Sequence, residues 1–235
     1  MVNGNISNKK YICKIISLFL YLIFTSSALL PNTYSKNTHE DILPKLETPY
    51  TTERLYVRHT IKNDIDTLGE LFYDKNISTK VVPEIFHSDG FESVEQSIEY
   101  LDNNFKNEKH STFTVCLKSN DVIIGEICFS IMGEGTMNIS YWLGTKYQGH
   151  GYMSELALDF IKYLFINSEI KTIHIQCLSD NEASWKICCK IADNFEQYND
   201  GSKQSYDIRQ YCKKYKYRKN LETDINVLEI TKNDK

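Results

Sequence analysis

Proline is scarce in this chain. There are 4, three of them (Pro31, Pro44 and Pro49) lie before residue 50, and Pro83 is the last. That scarcity excludes a collagen-like fibre, and the early crowding marks a boundary near residue 49. An excess of charge of one sign is lacking as well. Lys and Arg number 27 against 31 for Asp and Glu, a net charge of −4, so no global field draws the protein toward nucleic acid. No CxxC occurs and no Cys/His set has zinc-ligand spacing, so no metal is expected. The 7 cysteines do not form the dense framework of a small secreted module. Cys116, Cys128 and Cys177 sit in apolar, strand-like runs and read as core filler. Long apolar runs are missing beyond a single stretch, which excludes a multi-span membrane protein. With 41% hydrophobic residues, the chain is not disordered throughout.

The one apolar stretch is residues 15–30, uncharged and preceded by Lys9, Lys10 and Lys14. As a helix it reaches roughly 24 Å, short of a hydrocarbon core about 30 Å thick. The basic start, the apolar middle and the small residues Ser26, Ser27 and Ala28 have the layout of a secretory signal peptide. A membrane anchor touching the bilayer through residues 11–30 stays open beside it, as does a non-functional extension of a cytoplasmic protein. The expected organisation is a signal peptide or anchor over 1–30 and a linker over 31–49. One domain follows over 50–220, with a C-terminal tail over 221–235.

Residues 53–58 alternate polar and apolar, as a half-buried strand should. Helices follow from an Asn63 cap and from Ser93, where Gln96 completes a capping-box pattern. Strands over 112–118, 122–132 and 137–143 are joined by tight turns and predict an antiparallel meander. Met153, Leu156, Ala157, Phe160, Ile161, Leu164 and Phe165 then repeat at helical spacing. Residues 170–178 alternate again and must return beside the last meander strand as a βαβ unit. A helix over 181–193 and short strands near 195–198 and 207–213 complete the domain. The fold class is α+β with a mixed sheet.

The stretch that carries chemistry follows Tyr141. A strand ends through Trp142, Leu143 and Gly144, a loop holds Gln148, Gly149, His150 and Gly151, and a helix opens at once with Tyr152 and Met153. Gly149 and Gly151 free the backbone to turn tightly and approach a ligand. The unpaired N–H groups of the helix's first turn then make an anion site suited to a pyrophosphate.

This stretch resembles the pyrophosphate loop of the GNAT superfamily of acyl-CoA-dependent N-acyltransferases, Gln/Arg-x-x-Gly-x-Gly/Ala, with Gln148 and Gly151 matching and Met153 in the last place. The chain looks closest to the branch containing the ribosomal-protein alanine acetyltransferases. Residues 53–58 resemble that branch's opening strand, 122–125 its third strand, and Asn181 with Ser184 its Asn-x-x-Ser. Asn138 stands where the branch carries a Glu able to relay a proton.

The resemblance implies a three-layer αβα domain with a mostly antiparallel sheet, and direct transfer of an acetyl group from acetyl-CoA to an amine. It implies pantetheine contacts from the backbone of Trp142, Leu143 and Gly144, and pyrophosphate contacts from 148–153. Asn181 is a contact to pantetheine or substrate, and Ser184 is the candidate acid near the CoA sulfur. Glu126, on a strand flanking the cleft, is the candidate base.

The acceptor that the resemblance implies is a primary amine: a protein N-terminus, a lysine or a small amine. Oligomeric state is not legible. His174 alternates with Ile173 and Ile175 and reads as part of an exposed sheet face. The basic run 213–219 reads as a solvated strand and tail. A competing reading is a GNAT-like module that has lost catalysis and is exported or membrane-tethered. The intact glycines favour the enzyme.

Overall fold

The computed structural model describes residues 49–82, 88–107, 110–133, 135–196, 205–218 and 221–233. The signal-peptide or anchor segment and the linker through residue 48 lie outside the described residues. No helix among the described residues is long and apolar enough to cross a membrane.

Alternation builds the strands. In β2 (Leu55–His59), Leu55 and Val57 are buried while Tyr56 and Arg58 turn to the other side. A short β1 (Tyr50–Thr51) lines its edge. Three helices come next: α1 (Ile65–Phe72), α2 (Lys75–Val81) and α3 (Val94–Phe105). The Ser93 hydroxyl caps α3 as expected, accepting from Gln96 N–H. β3 (His110–Leu117), β4 (Ile123–Gly133) and β5 (Thr136–Leu143) form the antiparallel meander. Then come α4 (Tyr152–Asn167), β6 (Thr172–Leu178) and α5 (Glu182–Glu196). β6 lies parallel to β5, completing the βαβ unit.

Two expectations are corrected. Of the strand placed near 195–198, Phe195 and Glu196 instead end α5, because Phe195 continues the buried stripe of Cys188, Ile191 and Ala192, while 197–198 lie outside the described residues. Residues 221–232, expected as a tail, form a strand. β7 (Tyr206–Arg218) turns back into β8 (Leu221–Lys232), which inserts between β6 and β7 in the order β1-β2-β3-β4-β5-β6-β8-β7. Ile225, Val227, Leu228 and Ile230 are buried from both sides, so burial drives the insertion. Residues 213–218 of the basic run lie on the edge strand β7, where Lys214 pairs with Asp224 and Lys216 with Glu222 on β8.

The sheet is covered twice. On one face, α4 and α5 pack against Val57, Phe113, Ile127, Phe129, Ile139 and Ile175. On the second face, α1 to α3 close over Trp142, with the Phe72 ring 4.7 Å from the indole. This is a three-layer α+β domain. The start of α1 is clamped to the sheet by a buried fork. Arg58 reaches both carboxylate oxygens of Asp64, at 2.5 and 2.7 Å, and Thr114 donates to the same carboxylate at 2.9 Å.

If β8 is core, Leu228→Ala removes a fully buried side chain. The unfolding free energy in urea falls by about 2–5 kcal/mol, where a tail residue would register almost nothing.

Candidate active site

β5 and β6 run side by side only from Thr136↔Thr172 to Ile139↔Ile175. Beyond that point β6 stays with β8 through Leu178↔Ile225, and β5 stays with β4 through Leu143↔Gly125. A wedge-shaped opening separates the two strands. Its cause lies in β4, which bulges between Val115 and Cys116 of its partner β3. At Gly125 the backbones of β4 and β5 are so close that a Cβ would stand 2.2 Å from the Trp142 carbonyl oxygen. A bulge adds bend and twist, and here it leans β5 away from β6.

Strand phase decides which backbone groups line the opening. Gly144 N–H donates to the Ile124 carbonyl at 2.8 Å, so by alternation Trp142 also turns its N–H and C=O to β4. Tyr141 and Leu143 turn theirs toward the opening. Of the three residues expected to meet pantetheine, Leu143 alone has the right phase, and Tyr141 joins it. The Leu143 carbonyl is taken by the Gln148 side-chain amide at 2.9 Å, so Gln148 braces the loop from within.

The loop has the conformation its glycines predict. Gly149 and Gly151 both sit at φ 79°, where a side chain is strained, and Gly151 caps α4. The first backbone bond of the helix runs from Glu155 N–H to the Gly151 carbonyl at 3.0 Å. The N–H groups of Tyr152 and Met153 precede it and have no intrahelical acceptor. Met153 itself is buried, so its backbone is what it can offer a ligand.

Arg54 adds a positive charge at the mouth. It pairs with Glu155 at 2.7 Å, donates to the His150 carbonyl at 2.9 Å, and lies 4.6 Å from the Tyr152 ring centre. Burial pushes the Glu155 carboxyl up, but Thr52 and Arg54 hold it below the ordinary value. His150 is exposed and contributes its carbonyl to Arg54.

Asn181 and Ser184 open α5 beside the wedge. The Asn181 side-chain oxygen accepts from Ser184 N–H at 3.2 Å, a helix cap. The Ser184 hydroxyl is 3.3 Å from the Tyr141 hydroxyl. Burial raises Tyr141 well above its ordinary value, so the phenol keeps its proton at neutral pH. Tyr141 and Arg54 are the residues that sequence reasoning missed. Both stand inside the quoted motifs, yet their partners, Ser184 and Glu155, are remote in sequence.

Glu126 lies opposite Trp142 on the second face, buried. Burial pushes its carboxyl up to about 8, against a hydrogen bond from Trp142 that lowers it. At pH 7 it is mostly protonated and suits hydrogen-bond donation. As a base it serves near pH 8 and above. Among the described residues there is no cluster able to hold a metal.

Residues 54–192 match the acetyltransferase (GNAT) domain family. The chain is 30% identical over 142 residues to an uncharacterized N-acetyltransferase, YnaD, of Bacillus subtilis strain 168, over 60% of this chain and 79% of that protein. A GNAT-family acetyltransferase from Bacillus anthracis superposes with a TM-score of 0.60 at 25% identity, covering 77% of this chain and 96% of that one. RimL, a ribosomal L7/L12 α-N-protein acetyltransferase solved with coenzyme A, superposes with a TM-score of 0.57 at 16% identity. Its coverage is 77% of this chain and 96% of the other, and the likeness is one of fold.

Two variants test this geometry. Gly125→Ala forces β4 and β5 apart and lowers stability by about 1–3 kcal/mol, read by urea denaturation. Glu126 has a folded pKa raised above its unfolded value. Its stabilisation is therefore complete below about pH 4.5 and drains away as pH rises toward 8. Between pH 5.5 and 8.5 the wild type loses on the order of 3 kcal/mol from this group. Glu126→Gln lacks that slope, and an equal slope in both proteins refutes the burial argument.

Proposed function

The chain belongs to the GNAT acetyltransferase family and is an acyl-CoA-dependent N-acetyltransferase, and from that premise we propose direct transfer of the acetyl group of acetyl-CoA to a primary amine held on the second face of the sheet. The observation that carries this reading is the opening between β5 and β6, which leads up to the Gly149–Gly151 loop. An arm with amide groups can hydrogen-bond to Tyr141 and Leu143 in place of the missing strand. A pyrophosphate above it meets the N–H groups of residues 149–153 and the Arg54 guanidinium.

Acetyl-CoA supplies the activated acyl group as a thioester. The protein supplies alignment of the two reactants, polarising N–H groups and proton transfer. Tyr141, joined to Ser184, is a protonated hydroxyl beside the wedge and serves the departing thiolate. Ser184 thus acts as the partner of an acid, a shift from the role the resemblance implied. An α-amine, with a pKa of about 8, is nearly ready to react at pH 7. A lysine amine at about 10.4 requires roughly 4.6 kcal/mol to shed its proton.

Calorimetric titration of the full chain with acetyl-CoA tests the donor site. Micromolar binding is expected, and Gly151→Glu abolishes it by setting a carboxylate and a strained φ where the pyrophosphate rests. Circular dichroism confirms that the variant is folded. Absence of binding to the folded wild type overturns the reading.

A further inference from the structure

Just below the point where β5 and β6 part, the second face carries a row of polar side chains. The register sets Ser130 on β4, Asn138 on β5, His174 on β6 and Glu229 on β8 side by side, with Arg209 on β7 beyond. His174, expected on an exposed face, is instead less than a fifth exposed, as is Glu229. Their Nε2 and Oε2 atoms lie 3.0 Å apart. A carboxylate only accepts, so Nε2 carries the hydrogen and Nδ1 of the neutral ring presents a lone pair. Glu229 is itself held, with Arg209 at 3.6 Å and the Tyr211 hydroxyl donating at 3.4 Å.

Nδ1 of His174 is buried and meets no hydrogen-bond partner among the described residues. The same holds for Oδ1 of Asn138, directly across the parallel ladder. An unmet buried acceptor is costly, and two neighbouring ones at the foot of an opening ask for a ligand that donates more than one hydrogen. A primary amine does so.

We propose that Asn138 Oδ1 and His174 Nδ1 seat the acceptor amine, and that His174 is the base that takes its proton. The inference rests on the donor reading given above, which brings the thioester down the opening to the Asn138–His174 pair. An ammonium, RNH3+, gives one proton to Nδ1, and Glu229 steadies the imidazolium. The lone pair left on nitrogen attacks the thioester carbon. The C–N bond forms, the C–S bond breaks, and its electron pair goes to sulfur. Tyr141 gives its proton to the thiolate and is restored by the second proton leaving nitrogen, and the imidazolium proton goes to solvent. One proton is released per turnover, as acetylation of an ammonium requires.

The groups facing His174 are Asn138 on β5 and Glu229 on β8, with Arg209 and Tyr211 on β7 behind Glu229. On α2, which packs against β6, Lys80 is paired with Asp180. Glu229 is thus the carboxylate bonded to the ring.

Two measurements on the full-length protein test the assignment. Long-range proton–nitrogen NMR, with His174 identified by its loss in His174→Gln, is expected to show hydrogen on Nε2 and a bare Nδ1. Hydrogen on Nδ1 of the neutral ring overturns the proposal without any need for turnover.

Kinetics then use an α-amino peptide, a lysine peptide and a polyamine as probes. His174→Gln lowers kcat by about 100- to 10,000-fold, with acetyl-CoA affinity unchanged within about twofold. Glu229→Gln moves the acid limb of kcat/KM to lower pH, a shift that a merely structural role would not produce. A His174→Gln enzyme within about threefold of wild type, or an unmoved limb in Glu229→Gln, overturns the proposal. If none of the probes is turned over, the tautomer decides. Loss of acetyl-CoA binding in the wild type counts against the donor reading instead.

Discussion

A strand that parts from its neighbour must find other partners for its N–H and C=O groups, because unpaired backbone groups are costly once buried. β5 meets this requirement over residues 141–143, where it leaves β6 while still bonded to β4. The separation is imposed from the side. The bulge in β4 and the absence of a side chain at Gly125 let β4 press onto the Trp142 carbonyl, and β5 yields toward it. The proposed donor site is therefore a defect in sheet pairing, built where, among the described residues, two strands run parallel.

The two faces of the sheet divide the work. The face under α4 and α5 is apolar and holds the fold together through Phe113, Phe129, Phe160 and their neighbours. The second face mixes a small aromatic core around Phe72 and Trp142 with titratable groups, Glu126 and His174 among them. Putting the polar groups on the face away from the large core spares that core from unmatched charge. In the proposed reading it also lets donor and acceptor approach the opening from different sides.

Around the loop, charge is balanced rather than accumulated. Glu155 falls in the first turn of α4, where its carboxylate suits the helix dipole but opposes an incoming anion. Arg54 resolves the conflict by pairing with Glu155 and reaching the His150 carbonyl, so the loop is tied to the start of β2. The opening strand is thereby coupled to the glycine loop. That contact explains why residues near 54 matter to a motif almost a hundred positions later.

Local rules made much of this legible in advance. Alternation marked β2 through β6, helical spacing marked α4, and Gly149 and Gly151 announced a left-handed loop before a helix, since each rule acts over a few residues. β8 escaped because adjacent buried residues, Val227 and Leu228, break the alternation, and its partner β6 lies about fifty residues away. α2 escaped because its 7 residues are too few to show a period. Which polar groups meet was a tertiary matter throughout. Tyr141 meets Ser184, Arg54 meets Glu155 and His174 meets Glu229 only once the sheet is assembled. Glu126 acquires its proton only by burial. Sequence by itself determined β2 through β6, α4 and the glycine loop, because short-range sterics and periodicity suffice for those. The tertiary structure decided the opening, the partners and the protonation states, because these depend on backbone register and on the exclusion of water by residues far apart in the chain.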